Sequence, residues 1–372
     1  MSGPAHRRVQ VPPGVQCFVG DEVRRRRAIE DIATGVFLGW DYEEIIPPLF
    51  DYADVFEGEA LASKTYSFVA RDGSVLALRP DFTSLLAKIA AGRLRERPSP
   101  LRLYYSGEVV RYEPVRAGRQ SELYQMGLEH MGGDARAADA EVVAIAVECL
   151  ERLGASEFVL ALGHVGVFSG LVEAAGLDPQ RVETLRERVE ARDAAGVRAL
   201  VHATPAARDV AEGLERLATA SGGIETLSAV APAVAACPKA RAALEELRTV
   251  VEALSAAGLG PRLALDLAEV RGLDYYTGLV FRVFAPGLGF EVGGGGRYDT
   301  LLARFGRPLP AVGFMLGLDR VALLLARQGR LAGAPRPASE PVAAKELRSG
   351  IASAVALRAL GARIRFGDGG QP

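Results

Sequence analysis

RGLDYYTGLVFRVF (271–284), GGGGRYDTLLARFG (293–306) and AVGFMLGLDRVALLL (311–325) are the stretch on which the reading of this chain turns. Tyr276 to Phe284 is rich in Val, Phe and Tyr, residues that fit a pleated, half-buried surface, and is expected as a strand. Gly293 to Gly296 removes every side chain where a backbone bends or comes close to a ligand. Two readings stay open on this stretch alone. One is a hairpin closed by a glycine turn. The other is a pocket lined by Arg271, Tyr275, Tyr276, the Arg-Tyr-Asp after the glycines, and a glycine-bounded helix carrying Arg320.

A segment of the same character lies far upstream, in ALRPDFTSLLAKIA (77–90) and GEVVRYEPVRAGRQSELYQMGLEHMG (107–132). Leu85, Leu86 and Ile89 share one helical face, which puts Asp81 and Thr83 near the helix N-terminus, where capping is the ordinary role of such acceptors. The segments 101–114 and 121–132 read as paired strands around a loop at 116–119. Gln125, Gly127 and Glu129 alternate and so share one strand face, which is either solvent-exposed or the floor of a pocket.

Composition sets the frame for these motifs. Hydrophobic residues make up 49% of the chain and charged residues 24%, enough apolar material for a folded core in two or three domains. The opening MSGPAHRRVQVPPG has no apolar run behind its arginines, so neither a secretory signal nor a membrane span is expected and the cytoplasm is the default location. Cys17, Cys149 and Cys237 form no CxxC, and the four histidines fit no metal spacing, so neither a disulfide framework nor a zinc site is expected. A net charge of −2 gives no global drive toward nucleic acid.

The periodicities order the rest. Ile29, Ile32, Ala33, Val36 and Phe37 predict an amphipathic helix over 21–39, with Arg24 to Arg27 on its solvated faces. Pro47 and Pro48 keep the following extended segment out of a sheet centre and suggest an edge at an interface. Asp72-Gly73 predicts a hairpin over 64–79. A helix is expected from Asp134 to Leu153 and a strand over 157–163. Helices broken at Asp178-Pro179, Thr204-Pro205, Ser221-Gly222-Gly223 and Cys237-Pro238 read as an insertion. Strand patterning resumes at Leu263, and a Pro/Ala-rich linker at 334–341 leads to one more helix and ARIRF.

Taken together, the motifs resemble the class II aminoacyl-tRNA synthetase fold in its histidyl branch. That resemblance implies an α+β protein with an antiparallel sheet of six or seven strands flanked by helices. Its core would lie at 1–168 and 261–330, interrupted by a helical insertion at 169–260 and followed by a linker and short tail at 331–372. A free amino acid needs an anion or amide for its ammonium, a cation for its carboxylate and a polar slot for its side chain. The resemblance assigns histidine binding to Asp81, Thr83, Arg111, Gln125, Glu129, Arg271, Tyr275 and Tyr276. It places Arg111 and Arg320 toward the phosphates of ATP, which the guanidinium fork meets in pairs, and Pro48 at the dimer interface.

The chain also departs from the synthetase pattern. Ser121 stands where a second phosphate-facing arginine is usual and Leu123 where an aromatic stacks on adenine, a contact worth roughly 1–3 kcal/mol per base by analogy with single-stranded nucleic acids. Phe82 brings bulk to a position that is normally bare, and the stretch after Leu325 is short for an anticodon-binding domain. The wordings PPLFDYADVF, RPDFTSLLAKIA and GGGGRYDTLLARFG are more similar to the ATP phosphoribosyltransferase regulatory subunits, a synthetase-like family without aminoacylation activity. This likeness implies a non-catalytic subunit without cofactor, a homodimer within a hetero-oligomer that includes a short-form catalytic subunit of the first step of histidine biosynthesis. Histidine would be an effector acting on either subunit, and no tRNA is expected. A histidine-activating enzyme without an anticodon domain and an RNA sensor are the rivals, separable by pyrophosphate exchange and by salt-dependent tRNA retention.

Overall fold

The computed structural model describes residues 11–12, 14–56, 62–112, 120–202, 208–270, 275–330, 340–343 and 347–367. Arg271 and the loop at 116–119 lie outside the described residues. The chain opens with helix α1 (Asp21–Gly39), whose Ile29, Ala33, Val36 and Phe37 are buried at helical spacing, as the sequence suggests. Ile32 departs from that reading and stays 40% exposed. Strands β1 (Glu43–Glu44), β2 (Phe50–Tyr52), β3 (Ser67–Val69) and β4 (Val75–Leu78) follow, then α2 (Thr83–Ala91), β5 (Leu101–Val110), β6 (Glu122–Met131), α3 (Ala135–Arg152) and β7 (Val159–His164). Asp134 caps α3, its carboxylate accepting from the Ala137 amide at 2.9 Å.

The helical segment comprises α4 (Val165–Ala175), α5 (Pro179–Glu190), α6 (Ala194–His202), α7 (Arg208–Leu217), α8 (Glu225–Val234) and α9 (Pro238–Ala256), with the short strand β8 (Ser221–Gly222) between α7 and α8. The chain returns through β9 (Leu263–Asp266), β10 (Leu279–Phe284), β11 (Gly293–Arg297), α10 (Leu301–Arg304), β12 (Ala311–Gly317) and α11 (Leu318–Arg327). Chain contacts divide the protein into two units: residues 1–18 with 26–331, and residues 19–25 with 332–372. In the second unit, β13 (Glu340–Ala343) and β14 (Ile364–Gly367) pair in parallel, connected through α12 (Leu347–Ala359).

The main sheet has nine strands in the order β1-β5-β6-β12-β11-β10-β7-β9-β8, more than the six or seven expected. Its six central strands, β5 to β7 in that order, are antiparallel throughout; β1 joins β5 and β9 joins β7 in parallel, and β8 forms the far edge antiparallel to β9. The hairpin expected over 64–79 is present as β3 and β4, which form a three-stranded sheet with β2.

The glycine run corrects the simpler reading of the sequence. Gly293 to Gly296 is not a turn but the body of β11, paired on both sides with β10 and β12. A Cβ at Gly295 would overlap the Gly313 carbonyl oxygen of the neighbouring strand, and one at Gly313 would overlap the Glu129 carboxylate. Glycine is needed here because strands and a buried carboxyl come too close for any side chain.

Strand alternation sorts residues between two cores. Tyr104, Met126, Leu128 and Phe314 join α1, α3 and the inserted helices in the larger cluster. Tyr105, Val109 and Tyr298 face the other way and pack with Phe82, Leu86 and Ala90 of the α2 segment. Gln125, Gly127 and Glu129 point to this second side, so the polar triplet is buried against α2 rather than bathed in solvent, with Gln125 4% and Glu129 1% exposed.

Candidate functional site

A cavity of about 280 Å³ opens on that second side of the sheet. Its wall takes Asp81, Phe82 and Thr83 from the start of α2, Tyr105 from β5, Arg111, Gln125 from β6, Tyr275 and Tyr276, and the bare backbone of Gly293 to Gly295. Of the residues expected to bind histidine, Asp81, Thr83, Arg111, Gln125, Tyr275 and Tyr276 are therefore brought together. Arg271 falls outside the described residues.

Several of these groups have local duties. An Asp81 oxygen accepts from the Ser84 amide at 2.9 Å, so the capping role open in the sequence is realised. Arg111 donates from Nε to the Pro80 carbonyl at 2.7 Å, which ties the end of β5 to the segment carrying Asp81. The Tyr275 and Tyr276 rings meet edge to face at 5.1 Å. The Tyr276 ring lies against Gly296, where any Cβ would crowd it. The Tyr275 hydroxyl is buried and faces the Thr83 hydroxyl. Burial raises the pKa of both phenols, that of Tyr276 to about 12.

Glu129 is not among the residues on the cavity wall; its carboxyl accepts from the Thr83 hydroxyl at 2.7 Å and from the Tyr298 hydroxyl. Burial pushes its pKa up to about 8; the two hydroxyl donors pull the other way and the charge of Asp81 adds to the rise. The unfolded carboxyl releases its proton near pH 4.5, whereas the folded one holds it to about pH 8. The native state thus binds more protons through that window, and stability falls as pH rises. Glu129→Gln is expected to remove most of the loss between pH 6 and pH 8, read as urea midpoints of parent and variant at both pH values. An equal loss in the two proteins contradicts a buried neutral carboxyl.

The part of the cavity lined by Glu269, Arg282 and Glu291 is built from charges that satisfy one another. Arg282, on β10, pairs with Glu269 at 2.9 Å and approaches Glu291 at 3.8 Å. Arg320 donates to both the side chain and the backbone carbonyl of Glu291, at 2.9 and 2.8 Å. Leu123 sits half-buried at the margin of the second core and is not among the residues on the cavity wall. Ser121 is covered by the N-terminal segment: its amide donates to the Gly14 carbonyl at 2.7 Å, and Gly14 takes φ +83° to make that approach. Phe82 does not stand free in the cavity. It stacks on Tyr105 at 4.1 Å and lies under the Arg79 guanidinium at 4.3 Å.

Sequence reasoning did not single out Tyr105, Glu269, Arg282, Glu291 or the role of Tyr298. A charged residue inside the apolar strand LVFRVF was the available signal for Arg282, since such a charge is retained only with partners. The Arg-Tyr-Asp after the glycines is chiefly a clamp. Arg297 bridges Asp139 at 2.7 Å and Asp299 at 2.9 Å, and Asp299 accepts from the Ala311 amide at 2.9 Å. Among the described residues no group of His, Cys, Asp and Glu is placed to hold a metal, and no helix is long and apolar enough to cross a membrane.

The family model described as histidyl-tRNA synthetase matches residues 14–321 of this chain. A relative from Moorella thermoacetica named ATP phosphoribosyltransferase regulatory subunit is 40% identical over 359 residues, spanning 96% of this chain and 91% of its own length. A protein of the same name from Geobacter metallireducens is 40% identical over 334 residues, 89% of this chain and 76% of that one. Among solved structures, an ATP phosphoribosyltransferase regulatory subunit/histidyl-tRNA synthetase from Bacillus halodurans C aligns with a TM-score of 0.86 at 28% identity, over 100% of this chain and 96% of the other. A histidine–tRNA ligase subunit from Alicyclobacillus acidocaldarius aligns with a TM-score of 0.71 at 29% identity, over 86% and 98%. With the synthetase-like sheet and this run of relatives, the chain belongs to the family of ATP phosphoribosyltransferase regulatory subunits.

Proposed function

We propose that this protein is the non-catalytic regulatory subunit of an ATP phosphoribosyltransferase, supporting the first step of histidine biosynthesis, and that its pocket receives histidine as an effector. The observation that carries this reading is the unequal state of the two ends of the cavity. At one end Asp81, Gln125, Tyr275 and Tyr276 face open volume with polar groups suited to an amino acid. At the other, Glu291 already holds the arginine that would face a nucleotide phosphate. A polyphosphate entering there has to displace a carboxylate before it gains a cation.

The partner in this reading is a short-form catalytic subunit, and the protein itself acts as a homodimer within a hetero-oligomer in the cytoplasm. Support for assembly comes from apolar residues left in water around the proline edge: Ile46 is 86% exposed beside Pro47 and Pro48, with Leu49, Phe50 and Tyr52 about half exposed. The Pro47 and Pro48 carbonyls accept from the Arg79 guanidinium at 2.9 and 3.4 Å, which keeps this edge in a fixed course.

Asp81→Asn keeps an acceptor for the α2 amide and removes the charge that would meet an ammonium. The loss of one charge-assisted hydrogen bond, about 1.5–3 kcal/mol, corresponds to roughly a 10- to 100-fold weaker site. Calorimetry with histidine is expected to give that loss. Equal affinity in parent and variant puts the histidine site elsewhere.

A further inference from the structure

Arg79 follows β4 and is 6% exposed. It engages three consecutive carbonyls of the proline edge. The guanidinium donates to those of Pro47 and Pro48 at 2.9 and 3.4 Å, and the backbone amide to that of Leu49 at 2.9 Å. Its Nε donates to the Glu108 carbonyl of β5 at 2.6 Å, and its own carbonyl accepts from the Val110 amide at 3.0 Å. A planar fork can reach the edge and β5 at once, which a single ammonium cannot. The guanidinium also lies over the Phe82 ring at 4.3 Å, and Phe82 stacks on Tyr105 at 4.1 Å. Phe82 and Tyr105 both line the cavity. The flank of this stack is filled too, since a Cβ at Gly107 would come within 2.9 Å of Arg79 Nη2 and 3.3 Å of Phe82 Cζ. Groups packed this closely pass a displacement on rather than absorb it.

We propose that Arg79 is a positioning residue that ties the proline edge to the pocket, so that covering the edge with a second copy of this chain tightens histidine binding. This rests on the homodimer and histidine readings given above. In the single chain the edge carries Ile46 at 86% exposure, with Leu49 and Phe50 about half exposed. Seating these side chains against a second copy restrains the three carbonyls that Arg79 holds. The guanidinium is then fixed, and with it the ring of Phe82. A pocket that spends more of its time in the binding arrangement shows a tighter apparent affinity in proportion. Linkage runs both ways, so histidine tightens the dimer by the factor by which the dimer tightens histidine.

The test is histidine affinity by calorimetry, with the mass of each protein by light scattering, for parent, Ile46→Glu, Arg79→Lys and the double variant. Ile46→Glu places a charge on the edge and is expected to give a monomer that binds histidine about 5- to 150-fold more weakly, the range of a typical coupling. With Arg79→Lys in both members of the pair, that ratio is expected to fall close to one. Phe82→Leu keeps the carbonyl bonds of Arg79 and interrupts the stack, so it should stay dimeric and lower the ratio as well. It decides the matter if Arg79→Lys does not fold or does not dimerise. An arginine with a merely structural role would weaken dimer and monomer alike. A ratio equally large in the parent, Arg79→Lys and Phe82→Leu backgrounds, or a ratio of one in the parent background, overturns the inference and leaves the histidine reading standing. A monomeric parent overturns it together with the homodimer reading, and a parent that binds no histidine overturns it together with the histidine reading.

Discussion

Arg297→Ala is expected to destabilise the protein by about 3–5 kcal/mol, the cost of stranding one partner of a buried ion pair. The guanidinium and the Asp139 carboxylate are 7% and 9% exposed. Arg297 also donates to the Ala135 carbonyl at 2.6 Å, joining the end of β11 to the first turn of α3. Burial raises the Asp139 pKa to about 6 even with Arg297 beside it. Arg297→Lys should recover little, because a single ammonium cannot meet Asp139, Asp299 and the carbonyl in the fork's geometry. Urea denaturation is the measurement, with Asp139→Asn as the second arm of a double-mutant cycle. A loss below about 1 kcal/mol, the range of an exposed pair, would show that the clamp is not buried in solution.

Histidine-dependent ATP–pyrophosphate exchange by the isolated protein is expected to stay at background. Three features act together. Arg320 is engaged by Glu291, Ser121 lies under the N-terminal segment where a phosphate-facing arginine is usual, and Leu123 sits half-buried at the core's margin where an adenine-stacking ring would stand. Stabilising charge as it develops on a transferring phosphoryl group depends on cations already aimed at it. Exchange well above background would show that Arg320 leaves Glu291 readily and that the protein is a compact histidine-activating enzyme.

The parts of the molecule legible in sequence were those with local periodicity. The buried stripe of α1, the hairpin at Asp72-Gly73, α3 ending before Gly154, and the shared face of Gln125, Gly127 and Glu129 follow from spacing alone. The glycine strand was not, because a strand without side chains carries no alternation to read. Its glycines are dictated by the backbone of Leu279, Phe281, Gly313 and Met315, which arrive from the neighbouring strands. Edge strands of two residues, such as Glu43–Glu44 and Ser221–Gly222, leave no pattern either, which accounts for the miscounted sheet. At the site, the resemblance marked which side chains converge but not which carboxyl lines the cavity and which does not. That depends on Thr83 and Tyr298 meeting one carboxyl from segments far apart in the chain.

A regulatory subunit of the kind proposed acts through a partner enzyme and carries the histidine signal itself. The direct measurement is ATP phosphoribosyltransferase turnover by a short-form catalytic subunit, alone and mixed with this protein, each with and without histidine, with Asp81→Asn in parallel. A catalytic subunit activated by the parent chain, inhibited by histidine in the parent complex and about 10- to 100-fold less sensitive with Asp81→Asn is the predicted result. Turnover unaffected by this protein, or histidine inhibition identical in parent and variant complexes, contradicts it.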